Sequence, residues 1–157
     1  MKRKNQKEQK SRFIVIASDH AGRSIKEKAE LVLLDLKYSY EDLSITNKKD
    51  DDYPDFAKLV SEEVSSSKNK LGILVCGTGI GMSISANKFR GIRAALCHTK
   101  KEASLAREHN DANILVLPGK YSDAKVNVKE IVKAFLSSEL KDKRNVRRVN
   151  KIKKLEN

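Results

Sequence analysis

Cys76 sits where an apolar run, residues 71–75, meets the glycine-rich turn Gly77-Thr78-Gly79-Ile80-Gly81, and a helical pattern begins at once. A thiolate accepts protons, but a thiol with a reference pKa of about 8.5 is a poor base at neutral pH unless a cation or a helix start favours ionisation. Glycines allow backbone angles and close approaches denied to other residues, and the first N–H groups of a helix lack partners. The combination is an anion cradle with a base beside it, and Thr78 adds a hydroxyl. It suits a reaction in which negative charge develops next to Cys76. Asp19 and His20 follow another apolar run, and His109 precedes Asn110 late in a helical stretch; these residue types build acid–base machinery. Each also has a plainer reading. Cys76 is then a small buried hydrophobe, Asp19 closes a polar turn and caps the next helix, and His109 is a histidine held by a helix dipole. Cys97 lacks the glycine flank and reads as core.

The elements that must position these residues are legible as an alternation. Residues 13–17, FIVIA, form a continuous β-branched run, the pattern of a strand buried on both faces. Residues 38–45 alternate weakly, and 71–75, 92–97 and 114–117 complete five strand candidates. Between them, Ile25, Ala29, Val32, Leu33 and Leu36 mark one face of a helix that starts near Arg23. Pro54 starts another, with the stripe Phe56, Ala57, Val60 and Val64 running to Ser65-Ser66-Ser67. Thr99 caps a helix through Ala106, and residues 123–136 close the pattern. This predicts an α/β, Rossmann-like fold: a five-stranded parallel sheet with helices on both faces, plus a C-terminal helix. In such sheets ligands sit outside the carboxyl ends of the strands, which brings Asp19, His20, Cys76 to Gly81, Cys97 and His98 to one rim.

Of the 157 residues 39% are hydrophobic and 5% aromatic, enough for one core and too apolar for a disordered chain. The formal net charge of +12 lies at the ends: residues 1–12 hold six Lys/Arg against one Glu, and residues 141–157 hold eight against two acids. With no basic stripe between them and no interleaved aromatics, solvated tails are expected and nucleic acid is not. No stretch approaches the roughly 18 apolar residues of a membrane span, and no secretory signal follows the first lysines, so a cytoplasmic protein is expected. Two cysteines without CxxC or Cys/His spacing indicate neither a disulfide framework nor a metal site. Gly77, Gly79 and Gly81 alternate, unlike the GxGxxG of a dinucleotide turn. We read residues 1–11 as a disordered basic leader, 12–138 as one domain and 139–157 as a basic helix that completes the site or a dimer interface. Val146, Val149, Ile152 and Leu155 form an apolar edge on that helix.

Taken together, Ser18-Asp19-His20-Ala21-Gly22, Asp52-Tyr53-Pro54, Cys76 to Gly81, Ala86-Asn87-Lys88, Gly91-Ile92-Arg93-Ala94 and Arg107-Glu108-His109-Asn110-Asp111-Ala112-Asn113 resemble the type B ribose-5-phosphate isomerases. Galactose-6-phosphate isomerase subunits share the pattern. The resemblance runs from Phe13 to Arg148. It implies interconversion of ribose 5-phosphate and ribulose 5-phosphate through an enediolate, without metal or organic cofactor. It assigns Cys76 as base and His109 to ring opening, with Thr78 and the N–H groups of Gly77 to Gly81 cradling the enediolate. Asp19 and Asn110 meet sugar hydroxyls, and His20, Arg144 and Arg148 meet the phosphate, the two arginines lying four apart on one helical face. A third cation, an arginine in the family, is here Lys120, which keeps the charge and loses the bidentate fork. The family assembles as homodimers, with tetramers a further possibility, and His109 and the two arginines need not come from the chain that supplies Cys76. Two alternatives stand beside this reading: a galactose-6-phosphate or allose-6-phosphate isomerase, and a non-catalytic protein that binds RNA or another polyanion through its basic ends.

Overall fold

A computed structural model of the chain describes residues 12–44, 51–120 and 126–156. The strands are β1 (Phe13–Ser18), β2 (Tyr40–Asp42), β3 (Lys70–Cys76), β4 (Ala94–Leu96) and β5 (Ile114–Pro118). They form one parallel sheet in the order β2-β1-β3-β5-β4. Among the described residues six helices accompany them: α1 (Arg23–Asp35), α2 (Tyr53–Ser66), α3 (Ile80–Ala86), α4 (Lys100–Asn110), α5 (Val128–Ser137) and α6 (Lys143–Lys153).

Strand side chains alternate between two faces, and in this sheet both faces are covered. Ile14, Ile16, Ile73, Val75, Leu115 and Leu117 point into one core, closed by Ala29 and Leu33 of α1, Ala103 of α4, and Ile131 and Phe135 of α5. Val15, Ala17, Leu74, Cys76, Ile114 and Val116 point into the other, against Phe56, Val60 and Val64 of α2 and Met82 of α3. The continuous apolar runs in the sequence have this cause. Helix α2 is seated directly on β3: a Cβ at Gly72 would stand 2.7 Å from Val60 Cγ1 and 2.9 Å from Ile114 Cγ1. Gly72→Ala is therefore expected to overpack this layer and cost about 1–3 kcal/mol of stability, read as a lower urea midpoint with an unchanged slope.

The edge strands are shorter than their sequence runs. Residues 38–45 and 92–97 supply only the three-residue strands β2 and β4, because each has a ladder partner on one side alone. Ile92 still packs into the α2–α3 core, and the Cys97 N–H donates to Val116 O at 3.0 Å beyond the end of β4. Beside β2, Lys26 of α1 is buried against Asp42 in an ion pair. Helix α4 runs one turn past Ala106; it starts in a capping box between Thr99 and Glu102 and ends at Asp111, whose φ of 49° breaks the helix. The expected start of α5 at Asp123, the end of the second strand run at Ile45, the loop 46–50 and the leader 1–11 lie outside the described residues. On α6 the apolar edge is only partly covered: Val149 is buried with Asn145, whereas Leu155 is 83% exposed.

Candidate active site

The chain leaves β1 toward α1 on one face of the sheet and leaves β3 toward α3 on the other. That divergence between neighbouring strands opens a crevice at their carboxyl ends. Asp19 follows β1 directly and Cys76 ends β3, so both lie at this opening. Asp19 is 6% exposed, and its Oδ1 accepts the Gly22 N–H at 2.9 Å. The N-cap of α1 is Gly22, without a side-chain bond, so Asp19 closes a turn and does not cap the helix. Burial raises its carboxyl above the ordinary value; the Gly22 N–H and the charge of His20 oppose this.

Cys76 is 4% exposed and faces α3. The Gly79 N–H donates to its Sγ at 3.2 Å, and the N–H groups of Met82 and Thr78 also act on it. Burial nevertheless pushes the thiol up, and the carboxylate of Asp19 pushes it further. The lowering expected from the helix start is outweighed by desolvation. The turn itself is rigidly supported. Gly79 has φ of 78°, and a Cβ there would strike Leu96 Cδ1 at 2.4 Å. The Gly119 N–H donates to Cys76 O at 2.8 Å and to Gly77 O at 3.0 Å. Pro118 ends β5 opposite Cys76, and Gly119 supplies the donor that proline lacks. Thr78 is exposed and its Oγ1 accepts the Ile80 N–H at 3.2 Å. Lys120 stands exposed on the same rim, just beyond Gly119.

Two residues of this rim carried no role in the sequence reading. Asp51 Oδ1 lies 3.1 Å from the His20 backbone nitrogen, which donates to it, and 2.9 Å from His20 Nδ1. Its Oδ2 is buried with no hydrogen-bond partner among the described residues. Tyr53 lays its ring against Gly81, where a Cβ would stand 2.6 Å from Cζ. The sequence signal for both is the acidic run directly before Pro54.

The other predicted residues lie elsewhere. Helix α4 starts at the rim and descends, so its last turn, with His109 and Asn110, is about 16 Å away at the amino ends of the strands. Arg93, directly before β4, fixes this end: its Nε donates to Asn110 O at 3.0 Å and to Asp111 O at 2.9 Å. His109 shares a cleft of about 360 Å³ with Asp142 and Arg144 at the start of α6. Asp142 caps that helix, accepting the N–H groups of Arg144 and Asn145 at 2.8 and 3.1 Å. Arg148 follows one turn later, with Nη1 3.4 Å from Asn145 Oδ1. One chain therefore brings together Asp19, His20, Cys76 to Gly81 and Lys120, and separately His109, Arg144 and Arg148. Cys97 is buried core, its thiol pushed up by desolvation to about 12, and His98 is exposed beside Glu102.

The ribose/galactose isomerase family model matches residues 14–152. The chain belongs to this family. A probable ribose-5-phosphate isomerase B of Mycoplasma pneumoniae is 43% identical over 140 residues, covering 88% of this chain and 91% of that protein. The ribose-5-phosphate isomerase B of Escherichia coli is 35% identical over 143 residues, covering 91% and 95%. The crystal structure of the Mycoplasma genitalium isomerase with bound ribulose 5-phosphate superimposes with a TM-score of 0.85 at 40% identity, covering 93% of this chain and 97% of that one. That of the Thermotoga maritima isomerase gives 0.83 at 48%, covering 90% and 97%. The Rossmann-like five-stranded sheet is common to them. No described helix is long and apolar enough to cross a membrane.

Proposed function

We propose that the chain interconverts ribose 5-phosphate and ribulose 5-phosphate in a cytoplasmic homodimer whose sites lie between subunits. The observation that carries this is the thiol of Cys76, buried at the switch-point crevice with the backbone N–H groups of the turn directed at it. His109 opens the sugar ring, moving a proton from the anomeric hydroxyl to the ring oxygen. The Cys76 thiolate then takes the proton on C2; the electron pair enters C1=C2, and the negative charge forms on O1. N–H groups of the Gly77 to Gly81 turn stabilise that charge, strongest when it is fully developed. Thr78 passes a proton from O2 to O1, and the Cys76 thiol returns its own proton to C1, leaving the C2 ketone. Residues 12–138 supply this machinery, and the helix in 139–157 supplies Arg144 and Arg148 to the phosphate.

His20 meets the phosphate end, and Asp51 holds its Nδ1, so that Nε2 is presented. Asp19 and Asn110 hold sugar hydroxyls, and Lys120 contributes a point charge. The separation of His109 from the rim supports assembly from two chains: the descending helix α4 cannot return its last turn to its own Cys76. An assay of the purified chain with ribose 5-phosphate, galactose 6-phosphate and allose 6-phosphate in parallel tests the assignment. The expected result is the highest kcat/KM on the pentose. Faster turnover of either hexose, or no isomerisation of any, overturns it.

A further inference from the structure

At the amino end of the sheet, away from the rim, lies a cleft of about 710 Å³ that the proposed reaction does not use. Its walls carry Arg12, Lys70, Arg90, Arg93, Arg107 and Lys153, against Asp111 and Glu156. The fold concentrates these cations: Arg12 precedes β1, Lys70 opens β3, Arg93 precedes β4, and Arg107 and Lys153 lie in the last turns of α4 and α6. Counter-charge is scarce. Asp111 serves two guanidiniums, Arg93 Nη2 at 2.9 Å and Arg107 Nη1 at 3.1 Å. Lys70 pairs with Glu63, and Arg12 reaches Glu139 only at 4.0 Å. Arg90 and Lys153 have no ion pair among the described residues.

A second observation is independent of the charge count. Arg12 Nη1 and Arg107 Nε are both buried and have no hydrogen-bond partner among the described residues. Arg107 is 3% exposed and lies over the Phe135 ring, 5.5 Å from its centroid. Burial first, and then the charge of Arg12, hold its guanidinium below the ordinary value. Buried donors without acceptors are costly, and like charges in one cleft add to that cost. A dianionic oxyanion in the cleft offsets the like charges, because guanidinium forks match phosphate oxygens and each hydrogen bond is charge-assisted. No aromatic side chain lines the cleft, so it offers no stacking surface for a base.

We propose that this cleft is a second anion site for a phosphoryl group, distinct from the cations assigned to the sugar phosphate, and that Arg12 is its principal ligand. Its occupant is free phosphate or a small phosphomonoester. The test is calorimetric titration of inorganic phosphate, and separately of glycerol phosphate, into the full chain carrying Arg144→Gln and Arg148→Gln, which removes the sugar site's arginines. We expect one saturable site per chain that weakens as salt rises. Adding Arg12→Gln lowers the affinity about tenfold or more, and Lys153→Gln, an exposed change that leaves the fold intact, lowers it less. Tighter binding of glycerol phosphate than of phosphate assigns an ester, and the reverse assigns the free ion. Absence of saturable binding, or binding untouched by both substitutions in variants whose melting temperatures match the parent, overturns the proposal. Failure of the isomerase assignment leaves this result unaffected, since the titration involves no turnover.

Discussion

Cys76→Ala lowers kcat for the isomerisation of ribose 5-phosphate by about 10³-fold while KM changes little, because the proton on C2 then has no acceptor within reach. Steady-state assay of the purified variant reads this directly; retention of even a tenth of the wild-type kcat removes Cys76 from the mechanism. The pH dependence follows from the same site. In the proposed mechanism only the thiolate acts as base; burial holds the thiol above its ordinary value, and the carboxylate of Asp19 holds it there more firmly. The reactive form is therefore lost as pH falls, and the acid limb of kcat/KM follows Cys76. Asp19→Asn removes a negative charge beside the thiol and moves that limb to lower pH, even though it also weakens sugar binding. The rate of Cys76 alkylation by iodoacetamide as a function of pH reports the same shift without turnover; a limb that stays in place or moves upward contradicts the electrostatic account.

The second large effect is complementation between two inactive chains. Cys76→Ala and His109→Asn are each expected to abolish turnover. When equal amounts are unfolded and refolded together, half of the dimers are mixed, and an isologous mixed dimer has one intact site and one doubly substituted site. About a quarter of the wild-type activity then returns. A site confined to one chain gives no recovery at all. The reason to expect recovery is geometric: His109 ends an 11-residue helix that starts at the rim, so its imidazole lies at the opposite end of the sheet from Cys76.

Much of this was legible in the chain itself. The period and length of the apolar runs determined the alternation of strands and helices, because a strand covered on both faces must be apolar at every position, as 13–17 and 71–75 are. Glycine and cysteine placement determined the local character of the turn after β3, since only glycine fits the φ of Gly79 and the contact with Leu96. What the sequence could not carry was anything dependent on distance between remote segments. The edge strands β2 and β4 shrank because ladder partners exist on one side only, a property of sheet order. Asp51, two residues before α2, holds His20 just after β1, and no local pattern marks that pairing. The raised thiol of Cys76 was decided by burial and by Asp19, whereas the sequence exposed only the helix start, which acts in the opposite direction. Above all, the resemblance left open which chain supplies His109 to a given Cys76, and the tertiary structure sets the two residues of one chain apart by the length of a helix. Local chemistry was written in residue types and spacing; the distance between Cys76 and His109 of one chain follows from the direction in which α4 runs.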